Sequence, residues 1–378
     1  MAAGRRPRSS SPLAAWRHVD LLLVAATAGI LAMSLLMIYS STRQRQLQAG
    51  LDPAFFVKRQ AMFVGVGIVA LVLITLVHYE AIRNAVPVIF GGSLLMLLLV
   101  LTPLGTERRG TQAWFQLGPY QFEPSEVAKL ALIVTLAAYC ANERGALDPA
   151  RLVTALGLAA APLVLIYLQP DIGTGMVFVA IVMGLLLVGG ATARQIGVLT
   201  LLGLTAIVAV LQLGVLKDYQ RDRLAAFLDP KEDVQRTAYN LNQSKIAIAA
   251  GGLGGRGLFQ GTQTNLSFVP EQHTDFIFTA VGEELGFAGA VTLLGLFALV
   301  IWRTWRTAAE AKDEFGRLLC VGVLCMLVFQ VFENVGMTMG ITPIAGIPLP
   351  LMSYGGSATV ATLMAVGLVL NVHMRRFS

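Results

Sequence analysis

The chain has 378 residues and a net charge of +6, and 56% of its residues are hydrophobic whereas only 13% are charged. Globular chains in water carry about 25% charged residues, so this composition, with a mean hydropathy of +0.69, excludes an ordinary soluble enzyme. Clusters of basic residues adjoin the apolar runs. Their location in cytoplasmic loops of a membrane protein explains these clusters better than binding to a nucleic acid does.

Ten apolar segments alternate with polar loops along the chain. A helix needs roughly 20 residues to cross a bilayer. We therefore predict an all-α polytopic membrane protein with about ten transmembrane helices, in which residues 1–18 are a disordered basic N-terminus and residues 19–378 form one domain. A long loop, residues 217–275, separates the seventh and eighth helices. The predicted spans are residues 19–40, 61–78, 85–102, 124–141, 150–168, 172–190, 195–216, 276–302, 317–340 and 355–373.

Basic residues predict the orientation of these spans. An even number of spans places both termini on one side, and the arginines at both ends of the chain place that side in the cytoplasm. The loops 217–275 and 341–354 then lie outside. The first outer loop departs from the rule, and we have no explanation for its basic residues beyond contact with lipid headgroups; they are Arg43, Arg45, Lys58 and Arg59.

The three cysteines do not predict a metal site. Cys140, Cys320 and Cys325 lie in or beside apolar runs and lack the spacing of metal ligands. We interpret them as small core residues and expect neither a disulfide framework nor a metal cluster.

The loop GTERRGTQAWFQLGPYQFEP, residues 105–124, combines arginines with aromatic residues near the outer interface. An interfacial aromatic belt explains Trp114 most simply. The alternative is that Trp114 stacks on a sugar while Arg109 holds a phosphate.

The next helix begins PSEVAKLALIV, residues 124–134. Glu126 and Lys129 are three residues apart, so they share one helical face and favour an ion pair. Such a pair is either a structural salt bridge or the charged wall of an internal cavity with Lys129 facing an anionic substrate.

In YLQPDIGTGMV, residues 167–177, Asp171 either caps a helix or takes part in a functional site.

The long loop carries further cationic candidates. Arg221 and Arg223 adjoin a short apolar stretch that predicts a helix lying on the membrane plane. Lys245 precedes the run GGLGGRG, which lacks the context of a nucleotide-binding loop but, as a flexible segment, could approach a diphosphate.

The stretch VPEQHTDFIFTAVGEELGF, residues 269–287, is the richest in acids. If the helix begins near Thr274, then Asp275 and Glu283 share one face, and Glu284 lies beside it. Asp275 is either a helix cap or a general base, because a carboxylate beside a low-dielectric wall gains the basicity that a sugar hydroxyl requires. A cap does not explain Glu283, Glu284 or the neighbouring His273, which we therefore expect to contact substrate.

These strings resemble the signatures of the SEDS family, the bacterial shape, elongation, division and sporulation proteins. The strings are EPSEVAKL, QPDIGTG, NLNQSKIAIAAGGLGGRGLFQGTQTN, FVPEQHTDFIF and NVGMTMGITPIAGIPLPLMSYGGSA. Their wording is closer to the elongation branch than to the division branch. Where the family often has Gln, this chain has Glu123.

The resemblance implies a ten-helix peptidoglycan glycosyltransferase in the bacterial inner membrane. It implies lipid II, the undecaprenyl-diphosphate disaccharide-pentapeptide, as substrate and a class B penicillin-binding protein as partner. Asp275 matches the essential aspartate of the family, Glu126 and Lys129 match its cavity pair, and Trp114 and Asp171 match further motif positions. No cofactor is certain, although a divalent cation, Mg²⁺ or Mn²⁺, would assist at the diphosphate. The alternatives are a lipid II transporter and a non-catalytic scaffold for the partner.

Overall fold

The structure is a computed structural model that describes residues 18–108, 111–142, 145, 147–213, 237–266, 268–269 and 271–376. Most of these residues are helical. The first half of the chain contains helices α1 (Leu21–Gln48), α2 (Phe55–Leu76), α3 (Tyr79–Asn84), α4 (Val86–Val100), α5 (Pro124–Ala141), α6 (Pro149–Leu168), α7 (Ile172–Val188) and α8 (Ala193–Leu213).

Six further helices follow in the second half. They are α9 (Thr237–Gly251), α10 (Thr262–Asn265), α11 (Ile277–Glu284), α12 (Gly286–Ala309), α13 (Glu314–Met339) and α14 (Gly356–Met374).

Each of the ten predicted spans overlaps at least one apolar helix. Eight described helices are long and apolar enough to cross a membrane, and α4 and α7 are apolar but have only 15 and 17 residues. The prediction of a helical, multi-pass membrane protein is therefore confirmed.

Helix α5 lies at the centre of the bundle, and most of its side chains are buried. It packs against α4, α6, α7, α13 and α14. Helices α2 and α14 approach closely at glycines, because the Cα of Leu71 lies 3.1 Å from where a Cβ of Gly367 would stand. Helix α8 lies at the edge of the bundle, and none of its described side chains is buried.

The loop before α5 forms a small antiparallel sheet that the sequence analysis did not predict. Its strands are β1 (Gly105–Arg108), β2 (Thr111–Leu117) and β3 (Tyr120–Phe122), in the order β1-β2-β3. Phe115 pairs with Phe122, and Gly118 has a φ of +60° in the turn between β2 and β3. This positive φ suits glycine, which has no Cβ to clash there.

The predicted eighth span is wrong in one respect, because it is two helices. Helix α11 ends at Glu284, and Gly286 has a φ of +64°, which interrupts the helix. The amides of Phe287 and Ala288 donate to the carbonyl oxygens of Gly252 and Leu253, at 2.9 and 3.1 Å. The glycine-rich segment thus satisfies donors that the start of α12 cannot pair internally.

The glycine-rich segment is also not the flexible phosphate-binding loop that we considered. The amides of Arg256 and Gly257 donate to the carbonyl oxygens of Glu283 and Glu284, each at 3.0 Å. The Arg256 guanidinium donates to the Ala250 carbonyl and the Thr262 hydroxyl. The segment is therefore a packed part of the bundle.

Candidate active site

A cavity of about 1190 Å³ opens where the loops predicted to be outside meet. Its wall is built by the first turns of α2, α5, α7 and α14, strands β2 and β3, and the turn Glu271–Phe276. Residues of α8 and the loop 341–355 complete it. This size and mixed polarity suit a large amphipathic ligand.

Asp275 lies in the turn Glu271–Phe276 and lines this cavity. Helix α11 begins at Ile277, so Asp275 precedes the helix instead of lying on its face. The prediction that Asp275 and Glu283 share one helical face is therefore wrong. Thr279 and Glu283 are fully buried, and neither belongs to the cavity wall.

Glu283 and Glu284, which we expected to contact substrate, hold protein loops instead. The Glu283 carboxylate accepts hydrogen bonds from the amides of Gln263 and Thr264, at 2.8 and 2.9 Å, and from the Thr264 hydroxyl at 2.7 Å. The Glu284 carboxylate accepts from the Ser40 hydroxyl at 2.6 Å. Both side chains are completely buried, so they are structural anchors.

The predicted ion pair between Glu126 and Lys129 is confirmed. The Lys129 Nζ lies 2.7 Å from a Glu126 carboxylate oxygen, and the side chains are 2% and 5% exposed. Both residues line the cavity, so the pair is at once a buried salt bridge and part of the cavity wall. Each charge makes burial of the other tolerable.

Trp114 lines the cavity and is fixed by Glu123, so it is more than a lipid-facing belt residue. Its indole N–H donates to a Glu123 carboxylate oxygen at 3.2 Å, and the Ser125 hydroxyl donates to the other oxygen at 2.7 Å. Burial, together with the nearby Glu126 and Asp171, raises the pKa of the Glu123 carboxyl. Glu123 thereby favours its neutral form, which resembles the amide that the family often has here.

Asp171 and His273 both line the cavity, as predicted for site residues. Asp171 also caps α7, because its carboxylate accepts from the Thr174 amide at 3.0 Å. The His273 ring packs against the rings of Phe56 and Tyr354, with centroid distances of 4.9 and 5.5 Å. Burial lowers the pKa of the His273 imidazole, which favours its neutral form.

The structure does not place the other predicted cationic residues in the site. Arg109, Arg221 and Arg223 lie outside the described residues, so their roles remain predictions. Lys245 does not line the cavity: its ammonium group packs on Gly340, where a Cβ would stand 2.5 Å from Nζ. The structure therefore does not place Lys245 in the substrate-binding site in which we predicted it.

Arg59 is a cavity residue that the sequence analysis missed. Its guanidinium lies 4.9 Å from the ring centroid of Tyr120 and 5.3 Å from that of Phe55, and it donates to the Pro119 carbonyl. The signal was present in the sequence, because Arg59 belongs to the basic outer loop that violated the topology rule.

The cavity wall carries more acids than bases among the described residues. The cations are Arg59 and Lys129. The carboxylates are Glu123, Glu126, Asp171, Glu271, Asp275 and Glu333.

Proteins of one family are similar to this chain along nearly its whole length. A family model described as "Cell cycle protein", which unites FtsW, RodA and SpoVE, matches residues 20–377. Stage V sporulation protein E of Bacillus subtilis (strain 168) is 37% identical over 356 residues, covering 93% of this chain and 96% of that protein. Peptidoglycan glycosyltransferase MrdB of Escherichia coli (strain K12) is 36% identical over 361 residues, covering 95% of this chain and 94% of that protein.

Comparison with solved structures indicates the same family. A chain from a peptidoglycan synthase complex, solved to explain how that complex coordinates polymerization and crosslinking, has a TM-score of 0.82 and 34% identity to this chain. The match covers 96% of this chain and 100% of that one. This chain belongs to the family of FtsW, RodA and SpoVE, the SEDS family that its motifs resemble.

Proposed function

We propose that this chain is a peptidoglycan glycosyltransferase that polymerises lipid II into glycan strands at the outer face of the bacterial inner membrane. The observation that carries this proposal is the position of Asp275. Its turn faces a cavity whose wall also contains Arg59 and the buried pair of Glu126 and Lys129. An acid, two cations and aromatic rings around one large cavity suit transfer of a sugar from a lipid diphosphate.

Asp275 is the general base in this proposal. It takes the proton from the 4-hydroxyl of the acceptor sugar, and the oxygen forms a bond to the anomeric carbon of the donor. The bond from that carbon to the diphosphate breaks, and the diphosphate leaves on its lipid with the electron pair. Attack from the opposite face converts the α-linkage into a β-linkage. A positioned base contributes about 10²-fold to 10⁴-fold to such a step.

Arg59 and Lys129 are the described residues suited to the leaving diphosphate. The Arg59 guanidinium is a planar donor that can bind two phosphate oxygens at once. Lys129 is a weaker candidate, since Glu126 already binds its ammonium group at 2.7 Å. By sequence, Arg109, Arg221 and Arg223 stay candidates for the same role.

A divalent cation, Mg²⁺ or Mn²⁺, at the diphosphate is part of the proposal. Oxygen ligands suit both metals and carboxylates line the cavity, but the described residues contain no group of three potential metal ligands, so the diphosphate itself would supply most of the coordination. Glu333 is the candidate protein ligand, and Asp275 keeps its role as the base. When bound, the ion would neutralise charge on the diphosphate.

The aromatic residues would hold the sugars. Trp114 and Tyr354 line the cavity, and an aromatic face suits the apolar face of a sugar ring. His273, packed against Phe56 and Tyr354, would orient these rings near Asp275.

Three finer points belong to the same proposal. We propose that a class B penicillin-binding protein supplies the transpeptidase, since the solved relative comes from a synthase complex that couples polymerization with crosslinking. We propose cytoplasmic termini, which the basic residues at both ends support. We place the chain in the elongation branch on the wording of its motifs, although the sporulation relative is as similar as MrdB.

The test is polymerisation of lipid II by the purified chain with its partner, with and without EDTA. We expect Asp275→Asn to abolish polymer while its thermal unfolding matches that of the wild type. Asp52→Asn, at an exposed carboxylate of the first outer loop, is the matched control and should stay active. Full activity of Asp275→Asn would refute the proposal.

A lipid II transporter is the rival function. Ten apolar helices around a charged cavity suit transport as well as catalysis. If liposomes containing the chain scramble lipid II while the partner complex forms no polymer, the transporter replaces the enzyme. If polymer forms only through the partner and survives Asp275→Asn, the chain is a scaffold.

A further inference from the structure

The turn that carries Asp275 is fastened through its own backbone. The carbonyl oxygens of three consecutive residues each accept a hydrogen bond from a different donor. His273 accepts from the Tyr354 amide at 2.9 Å, and Thr274 accepts from the Ser353 hydroxyl at 2.6 Å. Asp275 accepts from the side-chain amide of Asn334 at 2.9 Å.

Asn334 differs from the other two donors in its origin and connections. It comes from helix α13, whereas Ser353 and Tyr354 belong to the loop 341–355, which also lines the cavity. The second N–H of the Asn334 amide donates to the Ile347 carbonyl in that loop, at 2.8 Å. Both partners are acceptors, so they fix the orientation of the amide. The side chain is completely buried.

The far end of this loop is anchored independently. The Gln60 amide of α2 donates to the Thr359 hydroxyl at 2.9 Å and accepts from the Gly355 amide at 3.3 Å. Within the loop, the Leu349 amide donates to the Ser353 hydroxyl at 2.8 Å. The loop is thus fixed to α2 at its C-terminal end, through Gly355, and to α13 near its middle, through Ile347.

These contacts join two segments that line one cavity. Asp275 lies in the turn Glu271–Phe276, and Ile347 and Tyr354 lie in the loop 341–355. A single rigid side chain from α13 holds a carbonyl of each. Because general bases lose rate when they are displaced by even about 1 Å, such a device would matter for catalysis more than for binding.

We infer that Asn334 is a positioning residue that sets the place of Asp275 by tying its turn and the loop 341–355 to helix α13. This inference rests on the proposed function, in which Asp275 is the base. Asn334 itself need not touch substrate, and its effect passes through the Asp275 backbone.

The test compares Asn334→Leu with Asn371→Leu in the full chain complexed with its partner. Asn371 is a matched control, because it is also completely buried and its amide donates to two backbone carbonyls, those of Ile74 and Val77 at 2.5 and 2.6 Å. It belongs to the opposite end of α14 from the cavity. Both variants lose two hydrogen bonds from a buried side-chain amide to backbone carbonyls, and Asn371→Leu also loses the hydrogen bond that its Oδ1 accepts from the Arg375 guanidinium.

We expect Asn334→Leu to lower kcat for lipid II polymerisation by about tenfold to a hundredfold, with KM changed by less than about threefold. Asn371→Leu should reduce thermal stability at least as much, because it also leaves the Arg375 guanidinium without this acceptor, and it should leave kcat within about twofold of the wild type. Equal kcat values for the two variants, with Asp275→Asn inactive, would overturn the inference and leave the proposed function standing. An active Asp275→Asn would remove both.

Should Asn334→Leu fail to fold, Ser353→Ala answers the same question. It removes only a hydroxyl, and with it the contacts to the Thr274 carbonyl and to the Leu349 amide. We expect kcat to fall about threefold to tenfold at unchanged KM. An unchanged kcat in this folded variant would overturn the inference.

Discussion

Lys129 and Glu126 form an ion pair of 2.7 Å within one turn of the central helix α5, and both side chains reach the cavity wall. The pair therefore has two consequences that experiments can separate. One is stability, because each buried charge needs the other. The other is catalysis, because Lys129 is a cation beside the proposed diphosphate.

Breaking this pair on one side should cost about 3–5 kcal/mol, because Lys129→Met leaves the Glu126 carboxylate buried without its partner. The double variant Glu126→Gln/Lys129→Met should regain most of that stability, since it leaves no unpaired charge. Thermal unfolding in detergent measures both effects. A double variant no more stable than Lys129→Met would contradict this account of the pair.

Polymerisation by the double variant tests the second consequence. We expect its kcat to stay at least tenfold below that of the wild type, because a neutral pair cannot stabilise the leaving diphosphate. Wild-type activity in the double variant would make the pair purely structural.

Glu123→Gln should make stability less dependent on pH. Because burial raises the pKa of Glu123, the folded chain holds this proton more tightly than the unfolded chain does, and stability falls as the pH rises above about 4.5. The variant lacks this group. Relative to the wild type, it should gain about 1–3 kcal/mol between about pH 6 and about pH 9.

Thermal unfolding of both proteins across that range measures the difference. Glu107→Gln, at an exposed carboxylate of strand β1, is the control and should follow the wild type. Parallel pH profiles of Glu123→Gln and the wild type would show that Glu123 is already ionised in the folded chain.

Arg59→Gln should lower the rate of polymerisation by about tenfold to a hundredfold, because it removes a cation from the cavity wall. Lys58→Gln provides a control at the adjacent position, where the side chain is 69% exposed and paired with Asp52. We expect Lys58→Gln to retain full activity. If both variants lose the same activity, the basic loop acts by contact with lipid headgroups.

Gly286→Ala should destabilise the fold by several kcal/mol. Gly286 has a φ of +64°, and an added Cβ would stand 2.2 Å from the backbone nitrogen of Gly255, which cannot yield as a side chain would. Gly295→Ala on the same helix is the control, because nothing lies within 4 Å of its Cβ position. There, alanine should be neutral or stabilise the helix by up to about 1 kcal/mol. Midpoints of thermal unfolding compare the two, and equal midpoints would contradict the close packing of Gly255 and Gly286.

The sequence by itself determined the membrane class, the approximate position of every apolar segment and the ion pair of Glu126 and Lys129. Hydropathy and helical spacing act over one segment or one turn, so these features can be derived from a local pattern. The motifs also identified the family, and with it the importance of Asp275.

Only the tertiary structure decided which polar residues share the cavity. Asn334 meets the Asp275 carbonyl from 59 residues away, and Ser40 binds Glu284 across 244 residues. From the sequence, Glu283 and Glu284 of GEELG cannot be distinguished from acids of the site. They are structural anchors because other segments of the chain supply their hydrogen-bond donors. Arg59 lines the cavity for the same reason, since its neighbour Tyr120 lies in a sheet that no local pattern predicted. The difference depends on how far apart in the chain the interacting residues are. Local spacing determines the helices, whereas contacts between distant segments determine the site.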